Sequence, residues 1–229
     1  MGYAPVYSCA EGKHLSAWAV YRINDPEYGQ IDQETVEMIA RDRGALGMLE
    51  EHIIEQTFSY VGSGAMSTQG LSYIVIRLSS SLAMQKNFTD HIWNMRSKYN
   101  LHAEQICFAF TELGDQDASA GLLDNIKKLT LQGYRVALDG YGNGSLNIRR
   151  ISELSVNTVR LDQSLIDEME LPGGEAVLRG MIGMLQSIPL TVVVPGVDDE
   201  KTRDRLLDMG CDLMMGKLFV METSEHRDF

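Results

Sequence analysis

Arg135-Val136-Ala137-Leu138-Asp139-Gly140-Tyr141-Gly142-Asn143-Gly144 reads as a buried strand that ends on an aspartate and opens into a glycine-rich turn. Beyond it, Ile148, Ile151 and Leu154 recur at helical spacing, and Thr158-Val159-Arg160-Leu161-Asp162 reads as the next strand. This is a strand–helix–strand unit with charged groups at its strand ends. The glycines are spaced G-x-G-x-G, not G-x-G-x-x-G, so a tight turn is the better reading than a dinucleotide loop.

The same alternation extends in both directions. Residues 3–9, 15–23, 73–78 and 105–110 are strand-like upstream, and 190–194 and 213–219 downstream. Asp32 is placed to cap a helix whose Val36, Ile39 and Ala40 share a face, and Met48, Leu49, Ile53 and Ile54 mark a second helix. Further helices are expected over 88–99, 119–131 (closed by Gly133), 176–188 and 199–209. Continuous apolar strands alternating with helices predict a largely parallel, helix-covered sheet. A count near eight strands favours an α/β barrel of the TIM-type (β/α)8 kind over an open sheet, with 1–229 as one domain, whole or cut from a longer protein. In such barrels chemistry sits at strand C-termini, here Arg22, Arg77, Glu112, Asp139, Arg160 and Asp162.

With 229 residues, 44% of them hydrophobic, the chain can bury a sizeable core. A net charge of −12 argues against general binding to nucleic acid or anionic membranes, although a local basic pocket can still take a small anion. Cys9, Cys107 and Cys211 are odd in number and far apart, as in a reduced, cytoplasmic setting. No charged-then-apolar leader opens the chain, and no apolar run approaches the ~18 residues of a membrane helix. There is no GxxxxGK[ST], GxSxG or HExxH, so phosphate-loop, serine-nucleophile and zinc-hydrolase readings fall away. Asp139 and Glu112 invite a metal, but paired strand-end acids more often form salt bridges. The abundant methionines, Met181, Met184, Met214 and Met215 among them, read as core filling.

Several stretches in order resemble the EAL domain, the bacterial barrel that hydrolyses cyclic di-GMP. The family's A-L-D-D-F-G-T-G corresponds to Ala137–Gly144, A-E-G-V-E to Val194–Asp198, and L-G-C-D-x-x-Q-G-Y-L-F to Met209–Phe219. Its Y-Q-P-I corresponds to Tyr3–Val6 and its E-A-L-L-R to Trp18–Arg22. The resemblance implies an EAL-type barrel that uses Mg²⁺ or Mn²⁺. It places Trp18, Arg77, Ala109 and Asp139 where the family has metal ligands, and Gly140 and Arg160 where it has a further metal-site acid and a water-ordering lysine. Ala4, Val36, Arg41, Pro195 and Met215 are further departures.

Those departures predict that the metals and the hydrolysis are lost. The expected role is a regulatory or scaffolding module acting on an unidentified protein partner, with a cyclic di-GMP receptor or residual phosphodiesterase as the alternative. Arg22 matches a phosphate-contacting arginine, and Glu112 an acid that steadies the loop after D-D. Trp18 is expected to fill the pocket or stack on a guanine. Family members dimerise through the segment after D-D-F-G-T-G, which implies a homodimer. Arg77 and Arg160 are expected to occupy the former metal space and pair with Asp139 or Glu112; the alternative is that they only snorkel at the barrel mouth.

Overall fold

The structure, a computed structural model, describes residues 1–21, 23–111, 120–143, 151, 153–154 and 156–220. Arg22, Glu112, Ile148 and the polar tail after Val220 lie outside the described residues. Among the described residues ten strands run in chain order: β1 Gly2–Ser8, β2 Lys13–Val20, β3 Ile23–Asp25, β4 Gly29–Ile31, β5 Tyr73–Leu78, β6 Ile106–Phe110, β7 Arg135–Tyr141, β8 Thr158–Leu161, β9 Thr191–Val194 and β10 Leu213–Met214. Eight of them close a barrel in the order β1-β10-β9-β8-β7-β6-β5-β2, while β3 and β4 form a separate hairpin. β1 runs antiparallel to both β2 and β10; the remaining contacts round the barrel are parallel. The seam between β1 and β10 carries two register pairs, Tyr7 with Met214 and Ser8 with Leu213.

Period-two alternation sorts the strand residues into two layers. Val6, Trp18, Val75, Cys107, Ala109, Ala137, Val193 and Met215 pack together inside the barrel. Ile74, Ile76, Phe108, Phe110, Val136 and Leu138 face outward against Ile126 and Leu129 of helix Ala120–Leu131 and its neighbours. Both strand faces are therefore covered, which explains why β5 and β6 read as unbroken apolar runs. Ile151 and Leu154 are buried in the outer layer.

Helix starts follow the expected chemistry. Asp32 accepts from the Thr35 amide at 2.8 Å ahead of Gln33–Asp42, and Asp199 accepts from the Thr202 amide at 2.9 Å ahead of Glu200–Asp208. Two expectations are corrected. Val36 is buried, but Ile39 is exposed on a helix, Gln33–Asp42, whose first turn lines the barrel mouth, and Met48 is exposed on helix Leu46–Gly62. The last strand stops at Met214, and Lys217–Phe219 is a short 3-10 turn. Gly216 bends the chain across Val197, whose amide donates to Met215 O at 2.9 Å and whose carbonyl accepts from Leu218 N at 3.4 Å. Among the described residues no helix is long and apolar enough to cross a membrane.

Candidate functional site

Register sets the site. β5 pairs Arg77 with Ala109 on β6, β6 pairs Ala109 with Ala137, and β7 pairs Asp139 with Arg160 on β8. Arg77, Ala109 and Asp139 have the same parity as the inward residues Val75, Cys107 and Ala137, so they face the interior at the C-terminal rim. The Asp139 side chain is fully buried, while those of Arg77 and Arg160 are 24% and 19% exposed. Arg77 Nε donates to Asp139 Oδ2 at 2.8 Å, and Arg160 Nε donates to Oδ1. Both carboxylate oxygens are thus engaged by guanidinium groups, and the arginines are not merely snorkelling. A fully buried carboxylate is very costly unless it is paired and hydrogen-bonded, and this pairing meets both conditions.

Trp18 lies beneath this cluster. The Arg160 guanidinium sits over its ring at 4.6 Å, a cation–π contact, and the indole Nε1 has no partner among the described residues. Trp18 fills the interior rather than the open mouth.

A residue the sequence reading missed, Glu37, closes the cluster from above. It lies 3.8 Å from Arg77 Nη1, and it accepts from Gln33 Nε2 at 2.8 Å and from the Tyr21 hydroxyl at 3.3 Å. Burial opposes the charge on Arg77, but Asp139 and Glu37 outweigh it and raise the guanidinium pKa. Burial, and then Glu37, raises the Tyr21 phenol. No motif flags Glu37; a carboxylate on a polar helix near a strand-end arginine was the only signal.

Glu50 was missed as well. It is buried on helix Leu46–Gly62 and accepts from the Ser79 hydroxyl at 2.8 Å and from the Ser79 amide, holding the chain just past β5. Burial pushes its carboxyl pKa up against the opposing Ser79 bonds. The folded state therefore binds this proton more tightly than the unfolded chain does. Its contribution to stability should fall as pH rises from the ordinary glutamate value to the raised one. Glu50→Gln should flatten that slope in urea midpoints measured across pH 4–8; an unaltered slope would count against it.

Gly140 stands at a bulge between β7 and β8 with φ +81°. A Cβ there would lie 3.4 Å from both Asn143 Nδ2 and Asp162 Oδ2, so an aspartate would combine backbone strain with a neighbouring acid. Asp162 does not join the arginine cluster; it accepts from the amide and hydroxyl of Ser164 at 3.0 and 2.7 Å. Among the described residues no three acids, histidines or cysteines converge to hold a metal.

Above the cluster opens a cavity of about 1040 Å³. Arg77 and Arg160 are at its floor, and Ala4, Tyr60, Pro195 and Lys217 are among its walls. Tyr3 and Tyr60 stack with ring centroids 4.0 Å apart.

The EAL domain family profile matches residues 1–222. The cyclic di-GMP phosphodiesterase RocR of Pseudomonas aeruginosa is 23% identical over 97% of this chain, and the biofilm architecture maintenance protein MbaA of Vibrio cholerae is 24% identical over 96%. The match spans 57% of RocR and 27% of MbaA. Among solved structures, the EAL enzyme Bd1971 in its cAMP- and cyclic di-GMP-bound form superposes with a TM-score of 0.86 at 18% identity, over 94% of this chain and 60% of that one. The PaMucR phosphodiesterase in complex with cyclic di-GMP gives 0.85 at 19% identity, over 94% of this chain and 88% of that one. Profile, relatives and barrel agree, and the chain belongs to the EAL domain family.

Proposed function

We propose that this domain is a non-hydrolysing EAL barrel that works as a regulatory or scaffolding module in cyclic di-GMP signalling. The observation that carries the reading is the buried Asp139 with both oxygens taken by Arg77 and Arg160. Mg²⁺ and Mn²⁺ require several converging oxygen ligands. The positions that correspond to the family's ligands supply one carboxylate, already engaged, with an indole, a methyl group and a guanidinium. A divalent ion placed there would also meet two fixed positive charges. These residues do not fit the metal, so no metal-activated water is assigned as nucleophile. Acting as a scaffold, the domain works through contacts with a protein partner or a second copy of itself.

The test is direct. Incubated with cyclic di-GMP and 10 mM-range Mg²⁺ or Mn²⁺, the purified domain should form no linear dinucleotide above the no-protein control. Product that scales with protein concentration would overturn the reading. A receptor role is the second reading, favoured by the cavity over two floor arginines. Calorimetry with the dinucleotide separates the two: heat at micromolar concentration supports the receptor, and silence the scaffold.

A further inference from the structure

Five of the thirteen large hydrophobic side chains exposed among the described residues, Ile23, Tyr28, Met38, Ile39 and Met48, fall within 26 consecutive positions. Singly exposed apolar residues are ordinary on a protein surface, but such a concentration is not. The local structure accounts for it. β3 and β4 pair with each other and, among the described residues, with no other strand, so the hairpin is no part of the barrel wall. Asp25 Oδ1 accepts from the amides of Glu27 and Tyr28 at 2.8 and 3.0 Å, a turn that fixes the hairpin tip and leaves Tyr28 75% exposed. Ile31, paired with Ile23, is followed at once by the cap Asp32 and helix Gln33–Asp42. Of its ten residues that helix buries Val36 alone, and Met38 is 59% exposed. The Ala45 amide then donates to Ala40 O at 2.7 Å and turns the chain into helix Leu46–Gly62, whose first turn exposes Met48. The charge of the stretch is one-sided as well. Residues 23–42 hold Asp25, Glu27, Asp32, Glu34, Glu37 and Asp42 against one base, Arg41. Glu37 faces Arg77, but Glu27, Asp32, Glu34 and Asp42 are exposed. Glu34, Met38 and Asp42 recur at four-residue spacing, so one helix face carries a methionine with an acid one turn to either side.

We propose that the β3–β4 hairpin and the outer face of helix Gln33–Asp42 form a docking surface for a protein partner that presents a basic amphipathic segment, with aliphatic or aromatic side chains set among lysines and arginines. The inference rests on the scaffolding reading above and names the chemistry of its partner. Apolar side chains of the segment cover Met38 and Ile39, and its cations reach Glu34 and Asp42 on either side. Tyr28 offers a broad ring with a polar tip at the hairpin end, and Met38 and Met48 are unbranched and adapt to an irregular partner. The acids disfavour the other occupants. Nucleic acid or anionic lipid would bring phosphates against them, and two-fold pairing with a second copy would set acid against acid.

The probe is a fluorescein-labelled synthetic peptide of about 18 residues, with leucines at helical spacing among lysines, titrated with the purified domain and followed by anisotropy. Two control peptides replace every lysine by glutamate or every leucine by serine. The lysine–leucine peptide should bind saturably, and each control at least about tenfold more weakly. Met38→Ser combined with Ile39→Ser should weaken binding at least about tenfold, and so should Glu27→Lys combined with Asp42→Lys, with circular dichroism unchanged in both. Leu131→Ser, at an exposed apolar position on helix Ala120–Leu131, should leave the affinity as it was. Bound peptide should slow amide exchange over residues 23–42. No saturable binding, or an equal loss in Leu131→Ser, overturns the proposal. So does a serine control that binds as tightly, since that is bare attraction to a chain of net charge −12. A dimer of the unsubstituted domain that Met38→Ser and Ile39→Ser dissolve overturns it too, by assigning the face to a second copy. Turnover of cyclic di-GMP would overturn the non-hydrolysing reading and leave peptide binding in place, which keeps the two failures distinct.

Discussion

Asp139→Ala should remove about 3 kcal/mol of folding stability, the lower end of the range for breaking a buried pair because the two arginines retain some contact with water. The mechanism is desolvation. With the acid gone, two guanidinium groups at the barrel rim stay charged beside an apolar interior, with Glu37 at 3.8 Å from Arg77 as the nearest compensation among the described residues. For a domain worth 5–15 kcal/mol in typical cases, a loss of about 3 is large. Urea denaturation with an unchanged slope and a lowered midpoint would show it. Asp139→Asn, which keeps one acceptor oxygen, should lose less. A midpoint equal to that of the parent would mean that the triad adds nothing to the fold.

Gly216→Ala is expected to cost about as much, for a steric reason. Gly216 has φ +155° and ψ −179°, a region used almost only by glycine. A Cβ there would lie 2.2 Å from the Val197 carbonyl oxygen and 2.5 Å from its nitrogen. Neither can withdraw freely, because Val197 N donates to Met215 O and Val197 O accepts from Leu218 N. Strain and overlap together should remove about 3 kcal/mol and lower the melting temperature by several degrees. Gly180→Ala is the matched control. It sits inside helix Gly174–Gln186 with nothing within 4 Å of the new methyl, and should gain about 0.5–1 kcal/mol. If both substitutions behave alike, the turn at Gly216 is looser than its geometry states.

The barrel was legible because its physics is local. The unbroken runs of β5 and β6 and the caps at Asp32 and Asp199 carry their own evidence in adjacent residues. The pairing of Arg77 and Arg160 with Asp139 was also within reach, since parallel register and period-two facing bring strand-end charges together. Glu37 was not. It acts from a helix 40 residues upstream of Arg77, and its position depends on how that helix, whose first turn lines the cavity, is set at the mouth. The short last strand was hidden because Leu213-Met214-Met215 looks strand-like, and only the crossing with Val197 shows where it ends. Arg22 and Glu112 fall outside the described residues.

The antiparallel seam has a consequence for how the molecule is made. β1 and β10 meet through two register pairs, reinforced by the Ser8 hydroxyl donating to Asp212 at 2.7 Å across 204 positions of sequence. Every other barrel contact joins strands that follow one another in chain order round the ring. Closing the seam must therefore await the last strand and bears the largest loop-closure entropy in the fold. On a ribosome the emerging chain would be an open, curling sheet with two bare edges until Asp212 and Met214 leave the exit tunnel. The step that completes the ring is then also the step at which a nascent chain is most exposed to chaperones and to mispairing with a neighbour.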